Sequence, residues 1–364
     1  MNVTIIAGAR PNFMKIAPII DAIQEKKAQG FNINYRLVHT GQHYDKNLSD
    51  TFFKELNIPF PDINLEVKSG TQAEQTAAIM IGFEKELQQN PCDLVMVVGD
   101  VTSTMACTIV AKKAGIDVAH VEAGIRSGDM NMPEEINRIV TDSLTDYFFT
   151  TSSYANANLA NLGVAQSNVF FVGNVMIDTL LKHAPRLKKP QIWEDLKLEE
   201  KKYMVMTLHR PSNVDEENQL KNLIHQIVTL GKDYPIIFPV HPRTKKLLEG
   251  LDLNFENLHY VEPLGYLHFN YLVKNAFAML TDSGGITEET TVMNVPCITL
   301  RDSTERPETC DIGTNILVGN DTNKIEAAFA NLLSGNWKQG QTPELWDGHA
   351  AKRITDCLVE IYAL

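Results

Sequence analysis

The chain has 364 residues, 44% of them apolar and 21% charged, the make-up of an ordinary globular protein. That length exceeds what one hydrophobic core usually serves, so two domains are expected. A formal net charge of −12 argues against nucleic acid or an anionic membrane as the main partner, and any anion bound must be caught by a local cluster of basic residues. The start, MNVTIIAGAR, lacks a basic region followed by a long apolar stretch, and no apolar run approaches the ~18 residues of a membrane span. The five cysteines are scattered, with no CxxC pair and no metal-ligand spacing. A soluble, cytoplasmic protein without a metal site is expected.

In chain order, short apolar runs predict strands at Val3–Ala7, Asn34–His39, Asp93–Val98, Val118–Val121, Tyr147–Thr150 and Val169–Val172. Helical periodicity fills Phe13–Gln24, Gln72–Gln88 and Thr102–Ala114 between them, which predicts βαβ units and a parallel sheet. A second series begins after Gly173–Asn174 and a lysine-rich segment, Lys188–Lys202. Its strands are predicted at Tyr203–Leu208, Ile236–Val240, Leu258–Val261, Phe277–Thr281, Cys297–Leu300 and Ile316–Val318. Two Rossmann-like domains follow, residues 1–172 and 173–349. A last helix, Ala350–Tyr362, has no strand after it and could pack on either.

The first strand ends in GARPNFMKI, where Gly8 allows a turn and Pro11 suits a first helical position. Arg10 and Lys15 flank that helix start and suggest a phosphate site. The GxGxxG fingerprint and its later acidic residue are both missing, which disfavours a nicotinamide cofactor. Asp93–Val98 runs into Gly99–Asp100, and Asp100 either caps the next helix or belongs to a site at the strand's carboxyl end.

The densest stretch is HVEAGIRSGDMNMPEEINR, His120 to Arg138, with Glu122, Asp129, Glu134 and Glu135 among a histidine and two arginines. Core packing does not explain so many ionisable groups after a buried strand, and acid/base chemistry does. Glu134 and Arg138 are spaced i, i+4 as an ion pair would be. Glu122 and Glu134 rank first, with Glu135 and Asp129 taken as solvated neighbours. In the second series, strands deliver His209–Arg210 and His241–Pro242–Arg243 to one edge. TDSGGITEET, Thr281 to Thr290, predicts a strand ending at Asp282, a tight turn at Ser283–Gly284–Gly285 and a helix from near Ile286. Such a helix start offers N–H donors to a pyrophosphate, and Glu289 can accept from ribose hydroxyls. RDSTERPE adds Arg301 and Arg306, and together these groups point to a doubly phosphorylated anion.

These segments, with GQHYD, GDVTST, VGNVMID and PVHPR, occur in an order that resembles the non-hydrolysing UDP-N-acetylglucosamine 2-epimerases across nearly the whole chain. The resemblance implies a GT-B fold, two Rossmann-like doubly wound domains facing across a cleft, with the C-terminal helix, 350–364, returning to the first. It implies Asp100, Glu122, Glu134 and His209 as the catalytic group. Arg10, Lys15, Arg138, His241, Phe269, Ser283, Gly284, Gly285, Glu289 and Arg306 would bind substrate. The implied reaction eliminates UDP from the sugar and re-adds it, inverting C2 without cofactor or metal, in a homodimer. A related UDP-sugar, such as a UDP-diacetamido-uronic acid, is the nearest alternative substrate. A GT-B glycosyltransferase is a more distant reading, because it leaves the carboxylate cluster unexplained.

Overall fold

The computed structural model describes residues 1–41, 53, 55, 56, 58–214, 216–240, 248, 250 and 253–364, apart from the side chains of Arg10, Pro211 and Ser212. His241, its neighbours Pro242 and Arg243, and the GQHYD segment after Gly41 therefore lie outside the described residues. The chain divides into two units, Met1–Lys182 with Glu344–Leu364, and His183–Pro343.

The first unit is a parallel sheet of seven strands: β1 (Asn2–Ala7), β2 (Asn34–His39), β3 (Ile63–Asn64), β4 (Leu94–Val98), β5 (Asp117–Val121), β6 (Tyr147–Thr150) and β7 (Val169–Phe171). Their order is β3-β2-β1-β4-β5-β6-β7. Every residue of β4 is buried, as expected of a strand covered on both faces, and LVMVV is accordingly apolar without alternation. On one face Ile79, Phe83 and Leu87 of the helix Gln72–Gln89 pack with Ala106, Cys107 and Val110 of the helix Thr102–Lys113 over Val38, Val95 and Val97. A reciprocal capping box starts the former: Thr71 Oγ1 accepts from Glu74 N, and Glu74 Oε2 accepts from Thr71 N.

The second unit repeats the plan with six parallel strands: β8 (Met204–Thr207), β9 (Ile236–Pro239), β10 (Leu258–Val261), β11 (Ala278–Thr281), β12 (Cys297–Thr299) and β13 (Asn315–Leu317). The order is β10-β9-β8-β11-β12-β13. Met204, Met206, Ile236, Phe238, Leu280 and Ile298 face one core, with Leu220, Ile224 and Phe329 from the helices. Val205, Ile237, Met279 and Cys297 face the opposite one, with Leu272 and Val273. That two-residue alternation places both faces of the sheet under helices.

The C-terminal helix Ala350–Ile361 belongs to the first unit. Its first N–H groups, from Ala350 and Ala351, donate to the Asp178 carboxylate, and Trp346 Nε1 donates to Thr151 O at 2.9 Å. Each sheet reverses its strand order once, between β1 and β4 and between β8 and β11. In doubly wound sheets, ligands bind beyond the strand carboxyl ends at that point.

Candidate active site

In the first unit, β4 runs out into Gly99–Asp100 and the neighbouring β5 into Glu122. Glu122 is buried and holds a left-handed backbone at φ +70°, which costs a non-glycine residue roughly 1–3 kcal/mol. Lys15, one turn into the helix Arg10–Ala28, donates to Glu122 Oε2 at 2.5 Å. Gly99 is also left-handed, and a Cβ there would stand 3.2 Å from Lys15 Nζ and 3.3 Å from Glu122 Oε2. Glycine fits this position on both counts.

Asp100 does not cap the helix Thr102–Lys113, whose N-cap is Val101. Its Oδ2 instead accepts from Arg138 Nε at 3.0 Å and Nη2 at 2.6 Å. The i, i+4 pairing expected for Glu134 is replaced by an i, i+3 pair between Arg138 and Glu135, Nη1 to Oε2 at 2.6 Å. Glu135, expected to be solvated, is buried and also accepts from the N–H groups of Ser127 and Gly128. Burial opposes its ionisation, but those N–H groups and the Arg138 guanidinium prevail and hold its carboxyl below the usual range. Glu134 is half-buried and makes no hydrogen bond or ion pair among the described residues. Asp129 is half-buried and accepts from Asn131 N within its own loop.

His120 is fully buried: Nε2 contacts Gly99 O at 2.9 Å, and Nδ1 contacts Asp142 Oδ1 at 2.7 Å. A carbonyl only accepts, so the ring donates to Gly99 through Nε2. Burial disfavours charge on Asp142, yet His120 and Arg126 outweigh it and hold that carboxyl below its ordinary value. This network had no sequence signal beyond the bare His–Val–Glu run.

In the second unit, β8 delivers His209 and β11 delivers Asp282, adjacent strands in parallel register. Asp282 is wholly buried and accepts from the N–H groups of His209 and Arg210 and from Asn213 Nδ2. His209 Nδ1 lies 2.7 Å from Asp282 Oδ1, while its own side chain is 61% exposed. Burial pushes the Asp282 carboxyl up, but its hydrogen bonds and the His209 charge bring it below the usual range. Asp282 only accepts when ionised, so His209 donates to it through Nδ1–H and Nε2 stays outside the pair. The sequence offered Asp282 only as a strand end.

The tight turn expected at Ser283–Gly284–Gly285 is absent. Ser283 is the N-cap of a helix, Gly284–Val292, and both glycines lie in its first turn. A Cβ on Gly284 would come within 2.5 Å of Glu305 Oε1, whereas one on Gly285 would meet nothing within 4 Å. Gly284 is thus required by the packing of a buried ion pair, Arg301 Nη2 to Glu305 Oε2 at 2.7 Å. Ser283 makes no side-chain cap, so the helix start keeps N–H donors for an anion. Arg306 is buried against Glu288. Glu289 is buried too: Tyr266 OH donates to its Oε1 at 2.7 Å, with Asn270 Nδ2 at 3.4 Å. Burial drives the Glu289 carboxyl up to about 7, with Glu288 adding to the rise and the Tyr266 hydrogen bond opposing it. Phe269 is half-buried and packs against the core on one face of the second sheet.

Lys15, Asp100, Glu122, Glu134 and Arg138 thus gather at the carboxyl edge of the first sheet. His209, Ser283, Gly284, Gly285, Glu289 and Arg306 gather near that of the second. Among the described residues, no group of three or more His, Cys, Asp or Glu is placed to hold a metal ion.

Two units, each a doubly wound parallel sheet with helices on both faces, are the building plan of the GT-B class. Residues 24–359 match the family described as UDP-N-acetylglucosamine 2-epimerase, and the chain belongs to that family, whose members are isomerases. It is 43% identical over 370 aligned residues to a UDP-N-acetylglucosamine 2-epimerase of Methanocaldococcus jannaschii, covering 98% of this chain and 99% of the relative. It is 35% identical to the UDP-2,3-diacetamido-2,3-dideoxy-D-glucuronate 2-epimerase of Pseudomonas aeruginosa, covering 99% of this chain and all of that one. A crystal structure of the M. jannaschii UDP-GlcNAc 2-epimerase in complex with UDP-GlcNAc and UDP superposes with a TM-score of 0.87, at 42% identity, over 99% of this chain and all of that one.

Proposed function

We propose that this protein interconverts UDP-GlcNAc and UDP-ManNAc by eliminating UDP to a 2-acetamidoglucal and re-adding it on the opposite face. The observation that carries the reading is a division of labour. The second unit offers a helix start and a buried glutamate suited to a nucleoside diphosphate, whereas the first offers carboxylates suited to a proton on carbon. The C2 proton is poorly acidic because no carbonyl adjoins it within the ring, and departure of UDP across C1–C2 overcomes this.

In this reading Ser283, Gly284, Gly285 and Arg306 grip the diphosphate and stabilise charge developing on it as it leaves, while Glu289 accepts from the ribose hydroxyls. Phe269, His241 and Arg10 complete the binding set. Asp100, Glu122, Glu134 and His209 share proton removal and return on the two faces of the sugar. Lys15 is paired with Glu122, and Arg138 with Asp100. Incubation with UDP-GlcNAc in deuterated water should place deuterium at C2 and generate the C2 epimer, both read by NMR. Absence of exchange sinks the assignment of this substrate.

A second reading, 2-epimerisation of a UDP-diacetamido-uronic acid, is favoured by the whole-length similarity to the P. aeruginosa enzyme. The same NMR assay with that sugar separates the two. The family resemblance also leads us to propose a cytoplasmic homodimer supplying precursors for surface polysaccharide. Five unpaired cysteines fit a reducing compartment, and light scattering tests for a mass of two chains. Among the described residues no helix is long and apolar enough to cross a membrane.

A further inference from the structure

Three successive peptide carbonyls at the end of β4 are held by side chains. Val98 O accepts from Asn12 Nδ2 and Thr104 Oγ1, both at 3.0 Å, Gly99 O from His120 Nε2 at 2.9 Å, and Asp100 O from Asn137 Nδ2 at 2.8 Å. The Asp100 side chain is gripped as firmly. Arg138, 1% exposed, places two of its N–H groups on Oδ2 alone, which leaves Oδ1 outside the pair. Arg138 is itself fixed by Glu135 through Nη1 at 2.6 Å. Glu135 uses its remaining capacity on Ser127 N at 3.0 Å, Ser127 Oγ at 3.2 Å and Gly128 N at 3.1 Å. One buried carboxylate therefore joins the loop after Arg126, the guanidinium and Asp100 in a single chain of charge-assisted contacts.

We infer that Glu135 is a positioning residue for Asp100: it fixes the Arg138 fork, which turns Oδ2 inward and presents Oδ1 to the reacting sugar. Glutamine at position 135 has the same shape but carries no charge and puts an N–H₂ where an acceptor stands. Arg138 then loses its hold on Glu135, and displacements on the order of 1 Å at a reacting group cost roughly 100-fold in rate. The inference rests on the proposed reading that Asp100 reacts.

The test is steady-state kinetics of Glu135→Gln, Arg138→Lys and the double variant, each normalised to UDP-binding stoichiometry so that unfolded protein is not counted. The expected result for Glu135→Gln is a kcat lowered roughly 100-fold, with KM and the Kd for UDP within about twofold of the parent. Arg138→Lys keeps the charge but not the fork, and should give the same signature. The double variant should be no worse than the poorer single, because both act through one contact. A kcat within threefold of the parent, or losses that multiply in the double variant, overturns the inference. If Glu135→Gln does not fold, Arg138→Lys carries the same reading of kcat against KM. Asp100→Asn separates the two levels. If it remains active, the assignment of Asp100 falls; if it is inactive while Glu135→Gln is normal, only the positioning role falls.

Discussion

Each unit carries a pair of adjacent glutamates, Glu134–Glu135 in the helix Pro133–Leu144 and Glu288–Glu289 in the helix Gly284–Val292. Successive helical residues point about 100° apart, so the members of a pair meet different surroundings. In each pair one member is buried against an arginine, Glu135 on Arg138 and Glu288 on Arg306. The other members part company. Glu134 is half-buried with no hydrogen bond or ion pair among the described residues, whereas Glu289 is enclosed beneath Tyr266 with its carboxyl pushed up to about 7. A paired glutamate thus meets two different surroundings, one member bound to an arginine and the other not.

Neutralising Glu134 should break the comparison most sharply in activity. Glu134→Gln is expected to lower kcat about 1000-fold, within the span of general acid–base catalysis, while UDP affinity and melting temperature barely change. A turnover within tenfold of the parent would mean that Glu134 transfers no proton. The arginine-bound members should behave in the opposite way. Arg306→Met strips a guanidinium from the buried Glu288, and such losses typically cost about 3–5 kcal/mol, measurable by urea unfolding. A change below about 1 kcal/mol would show that Glu288 finds other compensation.

Both sheets were legible in the sequence because parallel strands covered on two faces read as unbroken apolar runs. Leu94–Val98 and Ala278–Thr281 fall where the runs predict. The strand Ile63–Asn64 was not, since two residues carry no pattern. The clustering of ionisable groups at strand ends was equally legible. Their partition was not. Glu135 looked as solvated as Asp129, and only its tertiary partners, two loop N–H groups and Arg138, decide otherwise. The double glycine suggested a turn, yet Gly284 is needed because Glu305 approaches it from a distant loop. Asp282 and Tyr266 were passed over for the same reason, because each acts on a residue far away in sequence.

The remaining predictions sharpen the contrast at Glu289. With a folded value near 7 against 4.5 for an ordinary glutamate, the folded protein binds more protons than the unfolded chain between those pH values. Stability then falls as pH rises through that window, by about 3 kcal/mol once pH exceeds 7. Glu289→Gln should therefore stabilise the protein at pH 8, leave it nearly unchanged at pH 4.5 and weaken UDP binding. An equal effect at both pH values would refute the buried, proton-holding carboxyl.

Tyr266→Phe should be the mildest change. The hydroxyl donates to Glu289 Oε1 and so favours the ionised form that ribose hydroxyls require. Hydrogen bonds to charged groups are worth about 1.5–3 kcal/mol, so losing this one should move the midpoint of UDP affinity upward by roughly one to two pH units. In calorimetric titrations the variant should bind UDP several-fold more weakly at pH 7, and the gap should close as pH rises above about 9, where the carboxylate becomes ionised in both. Equal weakening at every pH would mean that Tyr266 contributes packing alone, and that proton uptake at Glu289 does not govern the nucleotide grip.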